Sequence, residues 1–234
     1  SIVCPDKTVL LPQMSAGCPM ADMITPEQLT TKKEALGDIP VVTYVNSPAA
    51  VKALSTVCCT SANVVKVVNS LPDPAILMTP DRNLATYAAG FTDKSLHLWD
   101  GCCPIHDNLR AADILAAREK HPGAVVMAHP ECRSEVLELA DVVLSTSGML
   151  AHAAKSDQQE FIVATEKGIL YPMKKACPKK AFYPASDDMI CPDMKKITPT
   201  DVARCLETMS PEVKVPAAIR EKALGAVERM LAIR

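Results

Sequence analysis

The run Ala124-Val125-Val126-Met127-Ala128-His129-Pro130-Glu131-Cys132 decides how the chain is to be read. Its apolar half shows no polar alternation, which suits a strand covered on both faces, as in a parallel sheet. Its polar half follows at once, where an open parallel sheet presents loops to a ligand. Working outward, Val9-Leu10-Leu11, Val41-Val42-Thr43-Tyr44-Val45, Ala75-Ile76-Leu77-Met78, Val142-Val143-Leu144 and Phe161-Ile162-Val163-Ala164 read the same way. Leu109 to His121 reads as a helix with Ala111, Leu115 and Ala116 on one side, ended by Pro122-Gly123. Another helix is expected from Ala217 to Ile233. Strands alternating with helices predict an α/β fold.

The chain also resembles itself. Cys18-Pro19-Met20 recurs 85 residues later as Cys103-Pro104-Ile105. At the same offset Tyr44-Val45-Asn46 meets His129-Pro130-Glu131, and Thr60-Ser61-Ala62-Asn63 meets Ser145-Thr146-Ser147-Gly148. Pro80-Asp81-Arg82 likewise meets Thr165-Glu166-Lys167. A third cysteine motif, Cys191-Pro192-Asp193-Met194, follows Cys103 by 88 residues. Modules related by approximate threefold symmetry would bring Cys18, Cys103 and Cys191 to one central cavity. Three such thiolates suit an iron–sulfur centre, copper(I) or zinc. In this register residues 1–38 are the remnant of a first module plus a linker, carrying the first cysteine. Residues 39–121 and 122–210 form the second and third modules, and 211–234 form a C-terminal helix expected to pack back on the first. Only seventeen residues precede Cys18, so the first module is expected to be incomplete, with about 65 residues upstream needed to finish it.

Bulk properties exclude more than they assign. A net charge of −2 gives no nucleic-acid footprint and no polybasic membrane patch. No run of eighteen apolar residues and no signal peptide is visible, so a cytoplasmic protein is expected. Ten cysteines spread through apolar stretches do not read as a secreted disulfide scaffold. Cys4, Cys58, Cys59, Cys132, Cys177 and Cys205 are expected to be packing or incidental thiols. Cys102 rivals Cys103, but the offset selects Cys103.

The motifs resemble those of the quinolinate synthase family over essentially the whole chain. They are Gly17-Cys18-Pro19-Met20-Ala21, Tyr44-Val45-Asn46-Ser47, Cys59-Thr60-Ser61-Ala62-Asn63, Pro80-Asp81-Arg82-Asn83-Leu84 and Cys103-Pro104-Ile105-His106, followed by His129-Pro130-Glu131-Cys132, Ser145-Thr146-Ser147-Gly148-Met149, Ala164-Thr165-Glu166-Lys167-Gly168 and Cys191-Pro192-Asp193-Met194-Lys195-Lys196. The resemblance implies three similar αβα sandwich modules with short parallel sheets, pseudo-threefold around a central cavity. It implies a [4Fe-4S] cluster on Cys18, Cys103 and Cys191, with one iron left open as a Lewis acid. The implied reaction, in de novo NAD biosynthesis, condenses iminoaspartate with dihydroxyacetone phosphate to quinolinate, phosphate and water. L-aspartate oxidase, which supplies iminoaspartate, is the implied functional partner. The family's first module also contributes a histidine, tyrosines and a serine to the site, and these are not in the sequence.

Within that resemblance Tyr44, Asn46, Ser61, His129, Glu131, Ser145 and Thr146 fall on active-site positions. Glu131 is the candidate general acid/base, against a reading as a surface helix cap. His129 lies on the same side of an extended segment, two residues away. Tyr44 and Asn46 repeat that spacing and could orient substrate oxygens. Ser61, Ser145 and Thr146 precede expected helices, where hydroxyls either bind anions or simply cap. Lys195 and Lys196 read as positive potential near Cys191 or as exposed lysines. His106 reads as support for the Cys103 loop or as a structural histidine, while Asp81-Arg82-Asn83 and Glu166-Lys167 mark loop-to-helix junctions and interdomain salt bridges. Two other classes fit the cysteines: another [4Fe-4S] hydratase or dehydratase, and a non-catalytic zinc-stabilised or cysteine-rich α/β binding protein.

Overall fold

In the computed structural model, which describes residues 1–37 and 39–233, two parallel four-stranded sheets repeat one topology. Residues 38 and 234, at the ends of two of the expected segments, lie outside the described residues. The first sheet is built from β1 (Val41–Tyr44), β2 (Val57–Cys59), β3 (Ala75–Thr79) and β4 (Ser95–Leu98), in the order β2-β1-β3-β4. The second uses β5 (Val125–Ala128), β6 (Val142–Val143), β7 (Glu160–Ala164) and β8 (Ala181–Pro184), in the order β6-β5-β7-β8. All six pairings are parallel, so the carboxyl ends of each sheet's strands point one way.

Both faces of each sheet are covered, as the unalternating runs require. In the first sheet Val42, Ile76 and Met78 face one core, while Val41 and Leu77 face the other. In the second, Val126, Ala128, Ile162 and Ala164 alternate with Met127, Phe161 and Val163. One polar thread crosses the first core: the Thr43 hydroxyl lies 2.6 Å from that of Ser55 and 2.9 Å from that of Thr79. Ser55 in turn donates to the Val51 carbonyl, so no oxygen of the thread is left without a partner.

Helix Ala111–Lys120 and the long helix Ala217–Ala232 lie where the sequence indicates. Among the described residues the long helix packs chiefly on the first sheet, and only the stretch before it, at residues 211–213, meets the N-terminal segment. Ala226, Val227 and Met230 join Val57, Val64 and Met78 on one face of the first sheet, completing an apolar layer that Val67, Val68, Leu84 and Ala88 also cover. The N-terminal segment supplies instead the helix Pro26–Leu36, whose buried Leu29 helps cover the opposite face with Val41 and Leu77. That helix starts with a capping box between Thr25 and Gln28 and has proline at its first position.

The stretch Val9-Leu10-Leu11 does not form a strand of a sheet. Leu10 makes a single antiparallel bridge with Glu212, with flanking bonds from Leu11 N to Pro211 O and from Val213 N to Val9 O. Prolines at 12 and 211 each lack the N–H that would extend the ladder. Strands β2, β4 and β8 exceed the expectation, and all three are sheet edges.

Candidate functional site

The polar residues that follow the strands converge on one cavity of about 670 Å³. Tyr44 ends β1 and Asn46 follows it; Ser61 follows β2; His129 and Glu131 follow β5; Thr146 follows β6; Thr165 and Glu166 follow β7. Cys103 and Cys191 lie on the loops beyond β4 and β8, and Cys18 comes from the N-terminal segment. Loops from the carboxyl ends of both sheets therefore line one space, which also receives Gly17, Cys18, Pro19 and Met20.

The three cysteine loops are tied to each other by protein bonds. Trp99 Nε1 donates to Met23 O at 2.9 Å, joining the loop after β4 to the turn after Cys18. Lys196 Nζ donates to Ser15 O at 2.7 Å and to Asp193 at 2.6 Å, joining the Cys191 and Cys18 loops. The Cys103 N–H donates to Asp81 Oδ2 at 2.8 Å. All ten cysteines are free thiols. Cys58, Cys59, Cys132 and Cys205 are buried, and none of these four lines the cavity. Burial pushes the Cys18 thiol above its ordinary range, with the neighbouring Cys103 adding to the effect.

At the centre of the cavity wall sits a buried polar cluster. His106 Nδ1 lies 3.1 Å from Glu131 Oε2, and His106 Nε2 lies 2.9 Å from Thr165 Oγ1. His129 Nδ1 accepts the Glu131 N–H at 3.4 Å, which leaves Nε2–H to donate to Ser61 Oγ at 3.2 Å. Burial, reinforced by His106, lowers the His129 pKa, so that ring stays neutral. Burial opposes charge on His106 too, but Cys103 and Glu131 outweigh it and favour the imidazolium. Burial likewise opposes the Glu131 carboxylate, yet the contact with His106 and the charge on that ring hold it below the usual carboxylate range. Burial, then the charge of Glu131, raises Tyr44 well above its ordinary value, so its phenol remains a donor. Glu131 Oε1 is buried with no hydrogen-bond partner. A carboxylate oxygen left bare in this way is suited to a ligand proton.

The expected residues are not all brought together. Ser145 caps the helix Thr146–Lys155, accepting the Gly148 N–H at 3.2 Å. It lines a neighbouring cleft of about 540 Å³, shared only at Ser61 with the main cavity. Neither lysine supplies free positive potential: Lys195 Nζ lies 3.0 Å from Glu166, and Lys196 is engaged as above. Of the interdomain contacts expected of Arg82 and Asn83, only that of Asn83 crosses the modules, since Arg82 pairs with Asp100 and Asp107 inside its own. Both reach Asp107, as does Arg133, and Asn83 also donates to the Glu131 carbonyl. His106, Thr165 and the carboxylates Asp81 and Glu166 play a larger part than the sequence reading gave them. For His106 a signal existed: it follows Cys103 by three residues on a helix begun at Pro104.

Two histidines, a carboxylate and a phenol beside three thiols can hold a soft metal centre and move protons next to it. Cys103, His106 and Glu131 also place one donor atom each within 4.8 Å of one another. His106 Nε2 is engaged by Thr165, whereas Nδ1 makes an ion-pair contact with Glu131 but no hydrogen bond, so the trio could also offer donor atoms to a metal.

Residues 1–232 match the family described as Quinolinate synthetase A protein. A quinolinate synthase of Geotalea uraniireducens is 52% identical over 233 residues, covering all of this chain and 77% of that protein. One from Desulforudis audaxviator is 52% identical over 234 residues with the same coverage. One from Methanosarcina barkeri is 49% identical over 234 residues and is again covered to 77%.

Proposed function

This chain belongs to the quinolinate synthetase A family, and we propose that it condenses iminoaspartate with dihydroxyacetone phosphate to give quinolinate, phosphate and water. The observation that carries the reading is the meeting of Cys18, Cys103 and Cys191 with Glu131 on a single cavity. The donor set fits a [4Fe-4S] cluster: three soft sulfur ligands on separate loops, with one iron position left without a protein ligand. When bound, such a cluster supplies a Lewis-acidic iron.

The chain's own residues do the rest. Asn46 and the Tyr44 phenol orient carboxylate and carbonyl oxygens of the substrates. Ser61 and Thr146 offer hydroxyls for the phosphate or a carboxylate. Glu131, with its bare Oε1, takes up and returns the protons that carbon–carbon bond formation, isomerisation and dehydration move. His106 holds the other oxygen of Glu131 in place, and neutral His129 presents Nε2–H beside Ser61. Burial of the two histidines and of Glu131 keeps water from competing for these groups. A protein of biosynthesis in the cytoplasm, coupled to L-aspartate oxidase as iminoaspartate source, agrees with this reading. Among the described residues no helix is long and apolar enough to cross a membrane.

The test is iron and acid-labile sulfide on protein expressed and purified without oxygen. About four of each per chain is expected, falling sharply in Cys18→Ala, Cys103→Ala and Cys191→Ala. Quinolinate formation from the two substrates then separates this activity from simple dehydration by another cluster enzyme. A folded protein without iron or sulfide would leave a zinc or cysteine-rich binding protein as the better reading.

A further inference from the structure

Each sheet sends one buried carboxylate to one cysteine. Asp81 stands two residues beyond β3, and Glu166 two beyond β7. Asp81 Oδ1 accepts the Leu84 N–H at 2.7 Å and caps the helix Arg82–Ala89, while Oδ2 accepts the Cys103 N–H at 2.8 Å. Glu166 repeats the device: Oε2 accepts the Gly168 N–H at 2.8 Å, and Oε1 the Cys191 N–H at 3.4 Å. Asp81 is 2% exposed and Glu166 8%.

Glycines stand close beside both turns, against backbone at Asp81 and against the movable ends of side chains at Glu166. Arg82 N donates to Gly101 O at 2.7 Å, and a Cβ on Gly101 would lie 2.5 Å from Pro80 O. Only glycine lets the loop carrying Cys103 approach the Asp81 turn so closely. A Cβ on Gly168 would lie 2.6 Å from Glu166 Oε2 and 2.8 Å from Lys195 Nζ.

Burying a carboxyl group beside a cysteine is electrostatically costly; Lys195 offsets the cost at Glu166, whereas at Asp81 the compensation is the pair of N–H bonds. A carboxylate has two acceptor oxygens and no donor, and here each oxygen meets an N–H. An amide in its place would turn a donor toward one of them. We propose that Asp81 and Glu166 are positioning residues that fix the backbone of Cys103 and Cys191 for the cluster. This rests on the cluster reading above.

The experiment uses anaerobically purified, iron-loaded protein and the rate at which a ferrous chelator removes its iron. Asp81→Asn and Glu166→Gln should each lose iron about 10–100-fold faster than the unmodified protein. Asp100→Asn, whose carboxylate pairs with Arg82 and is 98% exposed, should match the unmodified rate. Circular dichroism of each variant reports whether it is folded; if Asp81→Asn is not, Glu166→Gln decides alone. Folded variants losing iron within about twofold of the unmodified rate would overturn the proposal. An unmodified protein that binds no iron would instead remove the cluster reading beneath it.

Discussion

The ring of His106 stacks on that of His129, with centroids 4.5 Å apart and planes 16° from parallel, and Glu131 Oε2 lies 3.1 and 3.8 Å from their Nδ1 atoms. One face-to-face pair thus serves one carboxylate, with the nearer ring favouring its charge and the farther ring neutral. His106→Ala would remove the nearest charged partner of the buried Glu131 carboxylate. The expected loss is about 1–3 kcal/mol of unfolding free energy, the cost of an unsatisfied buried group. Denaturant titration of the cluster-free protein measures it; an unchanged midpoint would mean that Glu131 finds another partner.

Replacing the carboxylate itself separates chemistry from assembly. Glu131→Gln keeps the shape but removes the proton acceptor, so quinolinate formation should fall about 10²–10⁴-fold. Iron and sulfide per chain should stay unchanged, since Glu131 holds no iron in this reading. A variant with near-normal turnover would move the acid/base role elsewhere.

Asp107 is the hub between the two sheet units. It takes hydrogen bonds from Asn83, Arg82 and Arg133, and its backbone carbonyl accepts from Arg133 Nε at 2.8 Å. The arginines are about one-third exposed, which screens the charge component. Asp107→Asn should therefore cost about 1–3 kcal/mol. Calorimetry should show a lower midpoint without loss of helical content; no shift would make the hub dispensable.

The second sheet depends on Phe161, which is fully buried and stacks on Phe182 at 5.5 Å. Phe161→Ala should destabilise by about 3–5 kcal/mol, the lost transfer energy plus the cavity left behind. An equilibrium urea titration checks the figure, and a loss under 1 kcal/mol would imply collapse of the site around alanine.

Cys58 gives the protein an alkaline limit. Burial pushes its thiol up to about 11, with Lys52 and Arg229 opposing weakly. The folded state keeps the proton longer than the unfolded chain does. The stability linked to it is therefore complete below the ordinary thiol pKa and is lost as pH rises through 11. Melting temperature should fall less steeply between pH 9 and 11 in Cys58→Val than in the unmodified protein. Iodoacetamide at pH 8 should also leave Cys58 unlabelled until the chain unfolds. Parallel pH profiles for the two proteins would contradict the burial account.

Legibility of the fold followed burial. The inner strands β1, β3, β5 and β7 are apolar runs covered on both faces, and hydrophobicity alone marks them. The edges β2, β4 and β8 read poorly because Cys58-Cys59, Ser95-Leu96-His97-Leu98 and the proline-ended Ala181–Pro184 lack that composition. Val9-Leu10-Leu11 has the composition but only one bridging partner, so its pattern misled. In the site, the i,i+2 pairs Tyr44/Asn46 and His129/Glu131 and the three repeat cysteines reach one cavity, as strand geometry requires. Ser145 does not, because its hydroxyl caps a helix instead. His106 was harder to place: its partners Glu131 and Thr165 lie 25 and 59 residues away, and only the packing of one sheet unit on the other makes them neighbours.

The bonds from Trp99 to Met23 and from Lys196 to Ser15 need no metal to form. Small metal-dependent domains gain their shape only when the ion arrives, so loading and folding are one event. Here amides, a lysine and an indole already draw the three sulfur-bearing loops into a finished cradle. Under the proposed cluster reading, maturation would then be a delivery problem: the loops would receive the cluster as a prepared site, and a lost cluster could be replaced without sending the chain back through unfolding.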